Sequence, residues 1–134
     1  MAVTSITPFL WFDTQAEDAA KYYVPLFSNS RILQVSRYGD FMPGKEGKVM
    51  VVELELMGQR LTFMNGGPNF TLDEAFSLSV ACETQADIDR LWDALAHKPS
   101  ACGWTRDKFG LVWQINYAGL PKLMTTQDRT NKVM

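Results

Sequence analysis

The sequence predicts an α+β fold made of two paired βαβββ modules that form a cupped mixed sheet with a cleft. Three observations predict it. The letters TQAED at positions 14–18 return as TQADI at positions 84–88, 70 positions further on. Each copy follows an apolar, strand-like run and opens a helix-like stretch bearing aromatic residues. Further strand-like runs, bounded by turn letters, complete both halves. The 134 residues suit a single domain, with module 1 over about 1–66, module 2 over about 74–118 and a tail over 119–134.

In the first module, residues 5–12 (SITPFLWF) are apolar and aromatic and read as a strand that Pro8 interrupts. Thr14 with Glu17 forms a capping-box pattern, so a helix is expected through AEDAAKYYVPLF, with Pro25 bending or ending its last turn. Residues 31–38 read as a strand, and GDFMPGKEG as a loop rich in turn residues. Residues 48–57 and 59–65 flank Gly58 as a hairpin, and NGGPN at 65–69 then breaks the pattern.

The second module repeats the order. Residues 75–82 alternate as a strand, and Thr84 with Asp87 caps a helix running to Ala96. Ile88, Leu91, Trp92 and Leu95 form its buried stripe. A strand at 102–105, a turn at 107–110 and a strong strand at 111–117 follow. The tail from Gly119 is expected to begin as a short helix.

Composition narrows the functional classes. The chain is 46% apolar, 12% aromatic and 21% charged, with a formal charge of −2 and no basic run. Nucleic acid is therefore not the expected partner, because phosphate neutralisation needs clustered Lys and Arg. No apolar stretch approaches the length of a membrane span, and the N-terminus does not read as a signal peptide. Cys82 and Cys102 show no metal or redox spacing, and a reduced, cytoplasmic chain is expected.

Alternation assigns residues to faces. Leu78, Val80 and Cys82 should meet the helix, leaving Ser77, Ser79 and Ala81 on the cleft side. The 70-residue offset carries this to Thr7, Phe9 and Trp11. In the last strand Trp113 and Ile115 point inward, and Val112, Gln114 and Asn116 face the open side. Glu53 and Glu55 share one strand face: paired carboxylates can do acid–base chemistry, yet such a pair is also an ordinary solvated face. Cys102 is either a reactive thiol or a small packed residue. His97, the only histidine, suits the end of the second helix, where a cation meets the dipole.

The order of elements and the strings GKVMVVELEL, NGGPNFTLDEAFSLSVACETQADIDRLW and CGWTRDKFGLVWQI resemble the PhnB-like group, often labelled 3-demethylubiquinone-9 3-methyltransferase. This group lies within the vicinal-oxygen-chelate superfamily of glyoxalases, bleomycin-resistance proteins and extradiol dioxygenases. The resemblance covers the chain from Ile6 to Ile115. It implies a small-molecule ligand and a homodimer. It also places metal ligands of catalytic relatives at Thr7 or Pro8, Thr62 or Met64, Ser77 and Gln114. Of these only Gln114 is a usable ligand, so neither a metal nor another cofactor is expected. Phe9, Trp11, Phe63 and Trp104 would line a stacking pocket or simply be core, and Ser77 and Gln114 would add uncharged hydrogen bonds. A metal-free binding cleft is the expected function. The alternative is a lyase- or isomerase-type enzyme using Glu53 or Cys102. The methyltransferase label is not expected to describe an activity, because the only double glycine, Gly66–Gly67, does not open a helix.

Overall fold

The computed structural model describes residues 2–119 and two dipeptide strands, Arg129–Thr130 and Lys132–Val133. The tail helix expected beyond Gly119 lies outside the described residues. The chain divides into two compact units, Met1–Leu72 and Asp73–Met134.

The first unit runs β1 (Phe9–Phe12), α1 (Ala16–Tyr23), a short 3-10 turn (Val24–Leu26), β2 (Arg31–Arg37), β3 (Val49–Leu56) and β4 (Gln59–Asn65). Its sheet has the order β1-β4-β3-β2, parallel between β1 and β4 and antiparallel elsewhere. The second unit repeats this as β5 (Leu78–Cys82), α2 (Gln85–Leu95), β6 (Lys98–Pro99), β7 (Trp104–Arg106) and β8 (Val112–Tyr117), ordered β5-β8-β7-β6. Its β5–β8 pair is again parallel. The fold is therefore α+β, two four-stranded mixed sheets each with one helix, as the doubled motif implies.

Registers match between the copies. Phe9 stands beside Thr62 in the first sheet and Ser79 beside Gln114 in the second. In each sheet one face is apolar and covered by the helix. Leu10, Phe12, Val52, Leu54, Leu61 and Phe63 are buried with Ala16, Ala19, Ala20 and Tyr23 of α1. In the second unit Leu91 and Leu95 of α2 are buried, as are Cys82, Trp113 and Ile115. Burial of each large apolar side chain contributes about 2 kcal/mol, so these stripes hold the helices in place.

Several boundaries differ from expectation for identifiable reasons. β1 begins at Phe9, not at residue 5. Pro8 accepts from Thr62 N at 3.0 Å but has no N–H to return, and Ile6 is 95% exposed. Thr14 does not cap α1. The helix starts one residue later than the repeat suggests, at Ala16, and the Oδ1 of Asn65 at the end of β4 accepts from Ala16 N at 2.8 Å. Thr84 does cap α2, accepting from Asp87 N at 3.2 Å while its hydroxyl donates to Asp87 Oδ2 at 3.0 Å. Pro25 converts the end of α1 into the 3-10 turn. His97 lies past the C-cap Ala96 of α2.

The middle strands of the second unit are β6 and β7, with Cys102 in the turn between them, not in a strand. Cys102 and Gly103 both have positive φ (59° and 79°), and Trp104 N donates to Ala101 O at 3.2 Å, a type I′ turn. The turn between β3 and β4 at Met57–Gly58 has the same handedness, with φ of 51° and 81°.

Candidate functional site

The helix-free face of the first sheet carries Phe9 and Trp11, which alternate with the buried Leu10 and Phe12. Phe9 is 60% exposed. Trp11 is half-buried and fixed by its surroundings. Its indole N–H donates to Gly67 O at 2.8 Å, and Phe70 meets the ring edge-on at a centroid distance of 5.0 Å. The ring lies over Gly66, where a Cβ would overlap it. The NGGPN break thus serves as the bed of Trp11: Gly66 for close approach, Gly67 (φ 96°) for the backbone turn.

Glu53 lies on the same face, beside Thr62 across the ladder, and pairs with Arg60 at 3.5 Å. Glu55 pairs with Arg31 at 3.1 Å. Both carboxylates are partly exposed and ion-paired, the arrangement of a solvated sheet face. Phe63, counted among the candidate lining residues, is instead fully buried on the helix side. Its ring packs against Phe12 at 4.9 Å and Tyr23 at 6.0 Å, because its position in β4 has the parity of Leu61 and not of Thr62.

In the second unit Trp104 stands directly across from Gln114 on the helix-free side of the sheet. Gln114 Nε2 donates to Ser77 Oγ at 2.9 Å. Two side chains singled out from the sequence 37 residues apart are therefore hydrogen-bonded to each other. A cavity of about 390 Å³ adjoins Trp104, lined also by Cys102, Lys98, Arg106, Glu74 and Val112. Arg106 holds Glu74 through both carboxylate oxygens, at 2.9 and 2.8 Å. The Cys102 thiol is exposed at this cavity, while Cys82 is buried; burial, reinforced by Asp87 and opposed by Arg90, pushes the Cys82 thiol up.

The positions where the sequence resemblance places metal ligands fit a transition metal poorly. Ser77 and Gln114 supply a hydroxyl and an amide that bond to one another, and Thr62 supplies a further hydroxyl. Among the described residues no group of three or more His, Cys, Asp and Glu side chains gathers in metal-binding geometry.

One site escaped the sequence. At the carboxyl ends of β1 and β4, a cavity of about 480 Å³ is lined by Asp13, Thr14, Glu17, Asp18, Tyr38, Lys45, Lys48, Val49, Asn65, Gly67 and Pro68. The available signal was positional, since ligands in α/β arrangements favour the carboxyl ends of parallel strands. What hid it is the loop 38–48, whose approach to the end of β4 and the β1–α1 joint no local pattern encodes.

The family model described as 3-demethylubiquinone-9 3-methyltransferase matches residues 4–116. Among solved structures, the chain is similar to a PhnB protein from Bacillus cereus, provisionally described as a 3-demethylubiquinone-9 3-methyltransferase. The identity is 36% and the TM-score 0.75, over 86% of this chain and 100% of that one. A protein from Pseudomonas aeruginosa is similar at 21% identity and a TM-score of 0.65, over 86% and 98% of the two chains. A gene product from Arabidopsis thaliana is similar at 19% and 0.54, over 84% and 97%. These last two speak for the fold alone. No curated protein matches. Residues 4–116 carry the family's pattern and the Bacillus cereus protein shares its fold along its full length; the chain belongs to the family described as 3-demethylubiquinone-9 3-methyltransferase and is a PhnB-like protein.

Proposed function

We propose that this PhnB-like chain binds a small, partly aromatic molecule on the helix-free faces of its sheets, without a metal. The observation that carries the reading is the fixed indole of Trp11 with the exposed Phe9 two residues before it. A ring locked by a hydrogen bond and an aromatic neighbour loses little entropy when a flat ligand stacks on it. Trp104, with the uncharged Ser77–Gln114 pair, offers comparable chemistry on the second sheet. Hydroxyl and amide groups at the metal positions support the metal-free part of the reading.

The family's description names methyl transfer to a quinone. Here the strand-to-helix joints are Asp13-Thr14-Gln15 and Glu83-Thr84, without glycine, and the double glycine is occupied as the bed of Trp11. We infer that binding a quinone-like ring, and not methylating it, is the retained property. A homodimer in the cytoplasm completes the proposal: Ile6, Phe41 and Phe70 are large exposed apolar side chains of the kind an assembly covers.

The test is calorimetric titration with a short-chain ubiquinone analogue, together with metal analysis of the purified protein. Trp11→Ala and Phe9→Ala should each weaken binding about tenfold, the value of one aromatic contact. Unchanged affinity in both variants would sink the stacking site. A stoichiometric transition metal lost on Gln114→Ala would sink the metal-free reading, and methylation of the analogue from S-adenosylmethionine would restore the methyltransferase one.

A lyase- or isomerase-type activity is favoured by one observation, the exposed Cys102 thiol at the cavity shared with Lys98 and Arg106. Turnover of a substrate abolished by Cys102→Ser or Glu53→Gln, with folding intact, would establish it.

A further inference from the structure

The cavity of about 480 Å³ in the first unit is unused by the function proposed above, and its lining divides by charge. Asp13, Glu17 and Asp18 come from the β1–α1 joint and the first turn of α1. Lys45 and Lys48 come from the connection between β2 and β3. No ion pair joins the two sides among the described residues. Glu17 pairs instead with Lys21 on its own helix at 3.5 Å, and Lys45 Nζ lies over the Tyr38 ring, 5.3 Å from its centroid.

Between the two charged sides the wall is rigid. The buried Tyr38 donates its hydroxyl to Asn65 O at 2.6 Å. Asn65 in turn accepts from Ala16 N at 2.8 Å and donates to Val49 O at 3.2 Å. These bonds fix the strand ends, the start of α1 and the start of β3 around one space. The volume is within the usual range for small-molecule sites.

Opposite charges that face one cavity without meeting define what suits it. An anion alone would encounter three carboxylates, and a cation alone would encounter two ammonium groups. A molecule carrying both signs on separate ends satisfies both sides at once. We propose that this cavity binds a small zwitterion, its ammonium directed to Asp13 and Asp18 and its acid group to Lys45 and Lys48. Because the lining of one side is a helix turn and of the other a loop, the span between ligand charges sets selectivity.

The experiment is a calorimetric titration of the intact chain with a series of ω-amino acids from glycine to aminohexanoate, with alkylamines and alkyl carboxylates as single-charge controls. One chain length should bind about tenfold or more tighter than either control of matched length. The double variant Lys45→Gln/Lys48→Gln should erase that preference, as should Asp13→Asn/Asp18→Asn. These side chains lie outside the core, and circular dichroism checks that folding is retained. No binding by any member of the series at millimolar concentration would overturn the proposal. So would an alkylamine or a carboxylate binding as tightly as the best zwitterion, or a preference that survives both double variants.

Discussion

The indole N–H of Trp113 donates to Asp107 Oδ2 at 2.8 Å inside the second unit. The other carboxylate oxygen, Oδ1, accepts from the backbone N–H groups of Phe109 and Leu111, at 2.8 and 3.1 Å. Asp107 is only 3% exposed, and the carbonyl of Leu111 accepts from its own N–H at 2.9 Å. One carboxylate therefore closes the 107–110 turn and aims the largest side chain of β8 into the core. The Asp107 and Trp113 letters of DKFGLVWQI thus have an architectural role.

Removal of this carboxylate leaves buried N–H donors without their acceptor. Asp107→Ala should lower stability by about 3 kcal/mol, since hydrogen bonds to a charged acceptor are worth about twice neutral ones. Trp113→Phe should cost about 2 kcal/mol. The two changes should be strongly non-additive in urea denaturation, because each removes the same bond.

Asn65 replaces Thr14 as the cap of α1, and the two copies can be compared directly. Asn65→Ala should cost about 1–2 kcal/mol, and Thr84→Ala about 1 kcal/mol. Thr14→Ala should change stability by less than about 0.5 kcal/mol, as for an ordinary surface substitution. Urea midpoints of the three variants check the ranking, and a Thr14 effect as large as that of Thr84 would contradict it.

Gly66→Ala places a methyl group inside the Trp11 ring. The ring must move, breaking its bond to Gly67 O and its edge contact with Phe70. A loss of about 2 kcal/mol is expected, of the size seen for overpacking, with a changed near-ultraviolet spectrum. Affinity for the ubiquinone analogue should fall as well if Trp11 is the stacking surface.

Cys82 gives a pH dependence of known sign. Its folded-state pKa is raised by burial above the usual thiol value of 9.0, so on raising the pH the unfolded chain ionises first. The stabilisation is complete below about pH 9 and is lost as pH rises through the higher folded-state value. Denaturation midpoints should therefore decline above about pH 9 more steeply in the wild type than in Cys82→Ala. Under native conditions dithionitrobenzoate should label the exposed Cys102 quickly and Cys82 only on unfolding.

Element identity was legible wherever side-chain period and burial coincide. The alternation in VMVVELEL and LVWQINY, the TQAED/TQADI repeat and Pro25 each encode a local preference that the sheet then uses. Alternation put Ser77 and Gln114 on the same side of the second sheet, and their side chains are hydrogen-bonded. What stayed hidden depends on distant partners. Thr14 and Thr84 occupy matching letters, but only the first copy ends its β4 strand in an asparagine that reaches the helix. Phe63 read as a candidate lining residue because aromatic character alone does not give parity. The charged cavity needed the loop 38–48 to fold back, which no spacing announces.

The two helix caps differ in chain separation as well as in chemistry. Asn65 reaches Ala16 across 49 residues, and Thr84 reaches Asp87 across three. By loop-closure entropy that difference amounts to about 2.5 kcal/mol against forming the first cap early. The start of α2 can organise from its own neighbours as soon as it is synthesised, whereas that of α1 waits for β4 to arrive. Two copies of one module thus reach the same architecture by different routes, one locally templated and one completed only by its own last strand.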